Sequence, residues 1–116
     1  MANENVVIPW DLKDTSMTLG MCKFIVAEGA DGPKLRASKE PFASHESLVY
    51  AARKEGIEGK VLGGGTLFIN PRNRTIRACE RTILYGPAPQ GVVERLLADY
   101  CSEAGYEKPI VEMDKY

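Results

Sequence analysis

Residues 21–27 read Met-Cys-Lys-Phe-Ile-Val-Ala, an apolar run interrupted only by Lys23. A strand with one wet face alternates apolar and polar residues, whereas a strand covered on both faces has no need to. This segment therefore predicts an interior strand with protein on either side. Gly20 precedes it, and Glu28–Lys34 (Glu-Gly-Ala-Asp-Gly-Pro-Lys) supplies turn chemistry after it. Two helical patterns are available to do the covering. In the first, Ser44 is the N-cap, Leu48, Ala51 and Ala52 form a stripe, and Arg53 and Lys54 occupy the last turn before Gly56; Pro41 marks an alternative, earlier start. In the second, after Pro87 and Pro89, Val92, Val93, Leu96, Leu97, Tyr100, Cys101 and Ala104 share one face closed by Gly105. Further strands are expected at Val6–Ile8, at Lys60–Leu62 and Thr66–Ile69 joined by a tight turn at Gly63–Gly65, at Thr75–Leu84 and at Pro109–Met113. The pattern predicts an α/β (α+β) domain of three layers, a mixed sheet with helices on both faces.

Composition narrows the functional classes. The 116 residues fit a single domain, 1–116, and the 44% apolar and 27% charged content is that of a globular chain. A net charge of −1 gives no electrostatic reason to expect a nucleic-acid or membrane-surface partner. No apolar run approaches the roughly 18 residues of a spanning helix, and the first residues lack a signal-peptide pattern, so a cytoplasmic protein is expected; a monomer is expected as well. Cys22, Cys79 and Cys101 are scattered without a CxxC pair, which favours reduced, buried thiols over a disulfide framework or a metal site. None is followed by arginine at the spacing of a thiolate phosphatase loop.

The residues with chemical potential are few. His45 is the only histidine and falls directly after the proposed N-cap. The first turn of a helix offers backbone N–H groups without intrahelical partners and the positive end of the helix dipole, together an anion site. A neutral imidazole there would be a base beside a pocket that attracts phosphate; a solvated or structural histidine is the plainer alternative. Lys23, inside an apolar strand, must either guard an edge or meet an anion. Gly63-Gly64-Gly65 is not a nucleotide-type phosphate loop, because no Gly-Lys-Ser/Thr ending follows.

Taken in order, Lys23 in an early strand, His45 before a helix, Leu62-Gly63-Gly64-Gly65, Tyr85-Gly86-Pro87-Ala88 and a terminal Asp114-Lys115-Tyr116 resemble the phosphohistidine phosphatase family, the small Janus/ocnus-type proteins. The resemblance spans roughly residues 19–116. It implies a mixed, roughly six-stranded sheet with helices on both sides, and metal-independent, cofactor-free removal of phosphate from phosphohistidine in a protein or peptide. By position, His45 matches the catalytic histidine and Lys23 the phosphate-binding lysine. The substrate-contacting run falls on Thr82, Ile83 and Leu84, Glu46 sits beside the pocket, and Arg36 lies one residue out of register with a family arginine. Thr66 stands where the family places an arginine after the triple glycine, which removes a planar fork for phosphoryl oxygens. A non-catalytic phosphate- or phosphopeptide-binding protein of the same fold is therefore the alternative to an enzyme.

Overall fold

The structure, a computed structural model, describes residues 5–14, 16, 19–38 and 44–113. Its elements run β1 (Val6–Val7), β2 (Gly20–Gly29), β3 (Gly32–Ser38), α1 (His45–Lys54), β4 (Val61–Asn70), β5 (Thr75–Cys79), α2 (Gln90–Ala104) and β6 (Ile110–Glu112). The six strands form one sheet in the order β1-β3-β2-β4-β5-β6. The two outer pairings, β1 with β3 and β5 with β6, are parallel; the inner ones are antiparallel. The sheet is therefore mixed, and β2 lies inside it, as its unbroken apolar run requires. Side chains of β2 alternate between two cores. Phe24 and Val26 join Leu35, Leu67, Ile69 and Ile76 beneath Val93, Leu97 and Cys101 of α2. Ile25 and Ala27 instead meet Leu48 and Ala52 of α1, with Ile57. Full burial of one such side chain contributes roughly 1.5–3 kcal/mol, so both faces help to hold the strand.

Four local expectations need correction. Glu28–Lys34 is not all turn: only Ala30 and Asp31 reverse the chain, and β3 follows. That strand looks polar because Lys34 and Arg36 alternate with a fully buried Leu35. The triple glycine is not a turn either, since β4 runs straight through it. Residues 86–88 lie against this half of β4, with Gly64 N–H donating to the Gly86 carbonyl at 3.1 Å and Ala88 N–H to the Gly64 carbonyl at 3.2 Å. A Cβ on Gly63, whose φ is +141°, would stand 2.4 Å from the Pro87 carbonyl oxygen; close backbone approach is why glycine sits there. The strand starting at Thr75 stops at Cys79, because Glu80 turns into the left-handed region at φ +71°. Ala51 is exposed; Leu48 and Ala52 are the buried residues of α1.

The helix ends follow the sequence. Ser44 caps α1 in a reciprocal box with Ser47, each side chain accepting the other's backbone N–H, at 3.0 and 3.2 Å. Gly105, at φ +75°, closes α2. Near the N-terminus, the Trp10 indole lies directly on Gly20, filling the place a side chain there would take. The possible helix start at Pro41 and the terminal Asp114-Lys115-Tyr116 lie outside the described residues.

Candidate functional site

With ten residues, α1 rises about 15 Å and covers only one end of its sheet face. His45 stands at its first position, and its Nε2 lies 2.9 Å from the Gly65 carbonyl oxygen. A carbonyl only accepts, so Nε2 carries a hydrogen. In the neutral ring the remaining lone pair is on Nδ1, which makes Nδ1 the atom that can act as base or nucleophile. The half-buried imidazole is thus fixed at both ends, by the capped helix start and by β4.

The strand after Gly65 brings the next groups. Thr66 is the cross-strand partner of Lys23, placing the two side chains on the α1 face with Cβ atoms about 5 Å apart. Lys23 does not guard an edge: β2 has β3 on one side and β4 on the other, and Ser38 is its second neighbour. The lysine is half-buried and has no hydrogen-bond or ion-pair partner among the described residues. Thr66, 7% exposed, donates its hydroxyl to Glu80 Oε1 at 2.5 Å. Glu80 was not visible as a site residue in the sequence; the only signal is a charged pair, Glu80-Arg81, cutting the run that starts at Thr75.

Beyond Glu80 the chain makes a tight turn over β4. Thr82 and Gly86 exchange backbone hydrogen bonds of 3.3 and 3.1 Å, and Tyr85 N–H donates to Thr82 Oγ1 at 2.6 Å. Thr82 is 2% exposed, with its methyl over Gly64, so its main office is to shape the turn. The tip of the turn is Ile83 and Leu84, both exposed, whose amides have no acceptor among the described residues. Glu46 is exposed in the first turn of α1.

Arg36 is not brought to this group. Its Nε and Nη2 grip the carboxylate of Glu55, the C-cap of α1, at 2.9–3.0 Å, and its Nη1 donates to the Leu35 carbonyl at 3.0 Å. It therefore belongs to the opposite end of the helix from His45. The thiols are also set aside: burial pushes Cys22 and Cys101 up to about 11, and burial followed by the Glu80 carboxylate raises Cys79. Among the described residues, no three His, Cys, Asp or Glu side chains are grouped to hold a metal ion, and no helix is long and apolar enough to cross a membrane.

In comparisons with known proteins, no protein-family model matches this chain and no curated protein matches it. The chemistry must therefore be read from the site. His45, Lys23, Thr66, Glu80 and the 82–86 turn gather around residues Gly64–Thr66 of β4, on one face of the sheet. Surface recesses lie elsewhere, among them one of about 630 Å³ between β1 and α2 and one of about 480 Å³ beside Lys34 and Arg36.

Proposed function

We propose that this protein hydrolyses phosphohistidine in proteins or peptides without a metal ion, with His45 as the reacting group. The observation that carries the reading is a histidine whose Nε2 is committed to the Gly65 carbonyl, beside a half-buried lysine that lacks an anion. A phosphoramidate has a nitrogen leaving group that departs readily once protonated, so no strong metal electrophile is required. The enzyme's task is to neutralise and orient the phosphoryl oxygens and to deliver a nucleophile in line.

In this mechanism the Lys23 ammonium, the amides of Ile83 and Leu84, and the first-turn amides of α1 take the phosphoryl oxygens. Nδ1 of His45 accepts a proton from water as the water oxygen attacks phosphorus and the P–N bond breaks. In the variant route Nδ1 itself attacks and water then releases phosphate from His45. Rapid quenching distinguishes them: the second route accumulates an acid-labile, base-stable phosphoenzyme. Phosphorus NMR of phosphohistidine with wild type and His45→Ala, in chelator, tests the whole reading. Equal hydrolysis by the two proteins would overturn it.

A second reading is favoured by the bond from Thr66 to Glu80, which puts a carboxylate close to where the family's arginine fork would stand. In that reading the protein binds a phosphopeptide without turnover. The same NMR experiment then shows no phosphate released, although the phosphopeptide protects Lys23 and His45 from chemical modification, and Thr66→Arg raises hydrolysis from that silent baseline.

A further inference from the structure

Glu80 combines three unusual features. It is one of two described non-glycine residues at positive φ, a conformation that a residue with a Cβ adopts only at a cost. Its side chain turns back over the sheet to accept the Thr66 hydroxyl, from a residue that is itself nearly buried. Thr66 shares its cross-strand row with Lys23, yet the Glu80 carboxylate goes to the threonine and does not pair with the ammonium. A carboxylate and an ammonium that both neighbour Thr66 without pairing suit a ligand that carries both signs. A phosphate monoester offers only negative charge, and Glu80 would repel it. Phosphohistidine with a protonated ring offers both: an anionic phosphoryl group and a cationic imidazolium whose second nitrogen bears N–H.

We propose that Glu80 is a further catalytic group of this site, its carboxylate accepting a hydrogen bond from the N–H of the substrate's phosphorylated imidazolium. This rests on the phosphohistidine reading of the His45 site. In the step, the water oxygen bonds to phosphorus while its proton passes to Nδ1 of His45. The P–N bond breaks and its electron pair returns to the ring nitrogen. Because the other ring nitrogen already holds a proton, the ring departs as neutral imidazole. Glu80 keeps that proton in place, as a carboxylate orients and stabilises an imidazolium in other catalytic sites. Thr66 is the positioning residue that aims the carboxylate. Among the described residues, the other titratable and charged groups on the elements around Glu80 are Lys23 on β2, His45 and Glu46 at the start of α1, Cys79 and the Arg77–Glu112 pair on β5 and β6, and Arg81 beside it.

The test is kcat at saturating phosphohistidine, which reports ionisations in the bound complex, as a function of pH, for wild type, Glu80→Gln and Thr66→Val, with melting temperatures recorded alongside. Glu80→Gln is expected to lose about 10- to 100-fold at mildly alkaline pH. Its alkaline limb should move down by about one pH unit, because the substrate ring loses the charge that keeps it protonated. Thr66→Val, which retains the carboxylate but releases it, should move the limb the same way by less. If Glu80→Gln does not fold, the Thr66→Val limb decides. An active wild type whose variants keep the limb in place overturns this inference alone, whether their rates are unchanged or uniformly lowered. A wild type that releases no phosphate from phosphohistidine overturns the parent reading and this one with it.

Discussion

Lys34 on β3 and Lys23 on β2 project from the same face of the sheet, one strand apart, and meet opposite fates. Lys34 is 4% exposed, and its ammonium is held by Asn5 Oδ1 at 2.7 Å and Asp31 Oδ1 at 2.8 Å. Beside it, Arg36 closes on Glu55. That end of the face lies under the C-terminal half of α1, where the charges satisfy one another. Lys23 lies at the other end, beside the N-terminus of the helix, without a partner among the described residues, which is what the proposed phosphoryl contact requires. The Glu80 carboxylate is held instead by Thr66, the cross-strand partner of Lys23.

If the proposed reaction is right, the largest expected effect comes from removing the imidazole at the open end. His45→Ala should lower phosphohistidine turnover by at least about 10³-fold, followed as phosphate release by phosphorus NMR. The two lysines then test the contrast directly. Lys23→Ala loses a charge-assisted contact to the phosphoryl group, typically about 1.5–3 kcal/mol, so kcat/KM should fall roughly 10- to 100-fold with little change in melting temperature. Lys34→Ala should do the reverse, costing about 1–2 kcal/mol of stability through the lost Asn5 bond and stem packing while leaving activity intact. Asp31 contributes little to that figure because it is exposed. If Lys34→Ala reduces activity as strongly as Lys23→Ala, the division of the face into two ends is wrong.

Smaller effects sharpen the picture. Ser44→Ala removes the cap that fixes the start of α1 and should cost about 1 kcal/mol in denaturant titration. Some loss of turnover should accompany it, since His45 is the next residue. The smallest effect is alkaline. Thiols ionise near 9.0 in the unfolded chain, whereas Cys22 and Cys101 hold their protons to about 11 in the folded one. The stability from this difference is full below 9.0 and is lost as pH rises toward 11, because the unfolded state then binds fewer protons. Slow alkylation of the folded protein at pH about 8 is the accompanying check.

The sequence made some of this plain and concealed the rest for identifiable reasons. The interior position of β2, the Ser44 cap and the long face of α2 were readable because each depends on local pattern: an unbroken apolar run, a capping side chain and a 3.6-residue period. β3 was hidden because its Lys34 and Arg36 take their partners from residues far along the chain, Asn5 and Glu55. The glycines of β4 look like a turn because the segment that presses on them, 86–88, follows more than twenty residues later. In the site, His45, Lys23 and the 82–84 run were singled out by residue type and order. Arg36 was misplaced because its role is fixed by Glu55, and Glu80 was overlooked because a positive φ leaves no mark on a glutamate codon.

The placement of Trp10 on Gly20 has a practical consequence. It is the only tryptophan in the chain, and it rests on the first residue of the strand that carries Lys23. Its emission spectrum therefore reports whether the N-terminal segment is docked on β2, without tracking events at the imidazole directly. A variant that stops reacting but keeps the native fluorescence has lost its chemistry with that docking preserved, and a few minutes in a cuvette separate the two kinds of failure before any kinetic constant is measured.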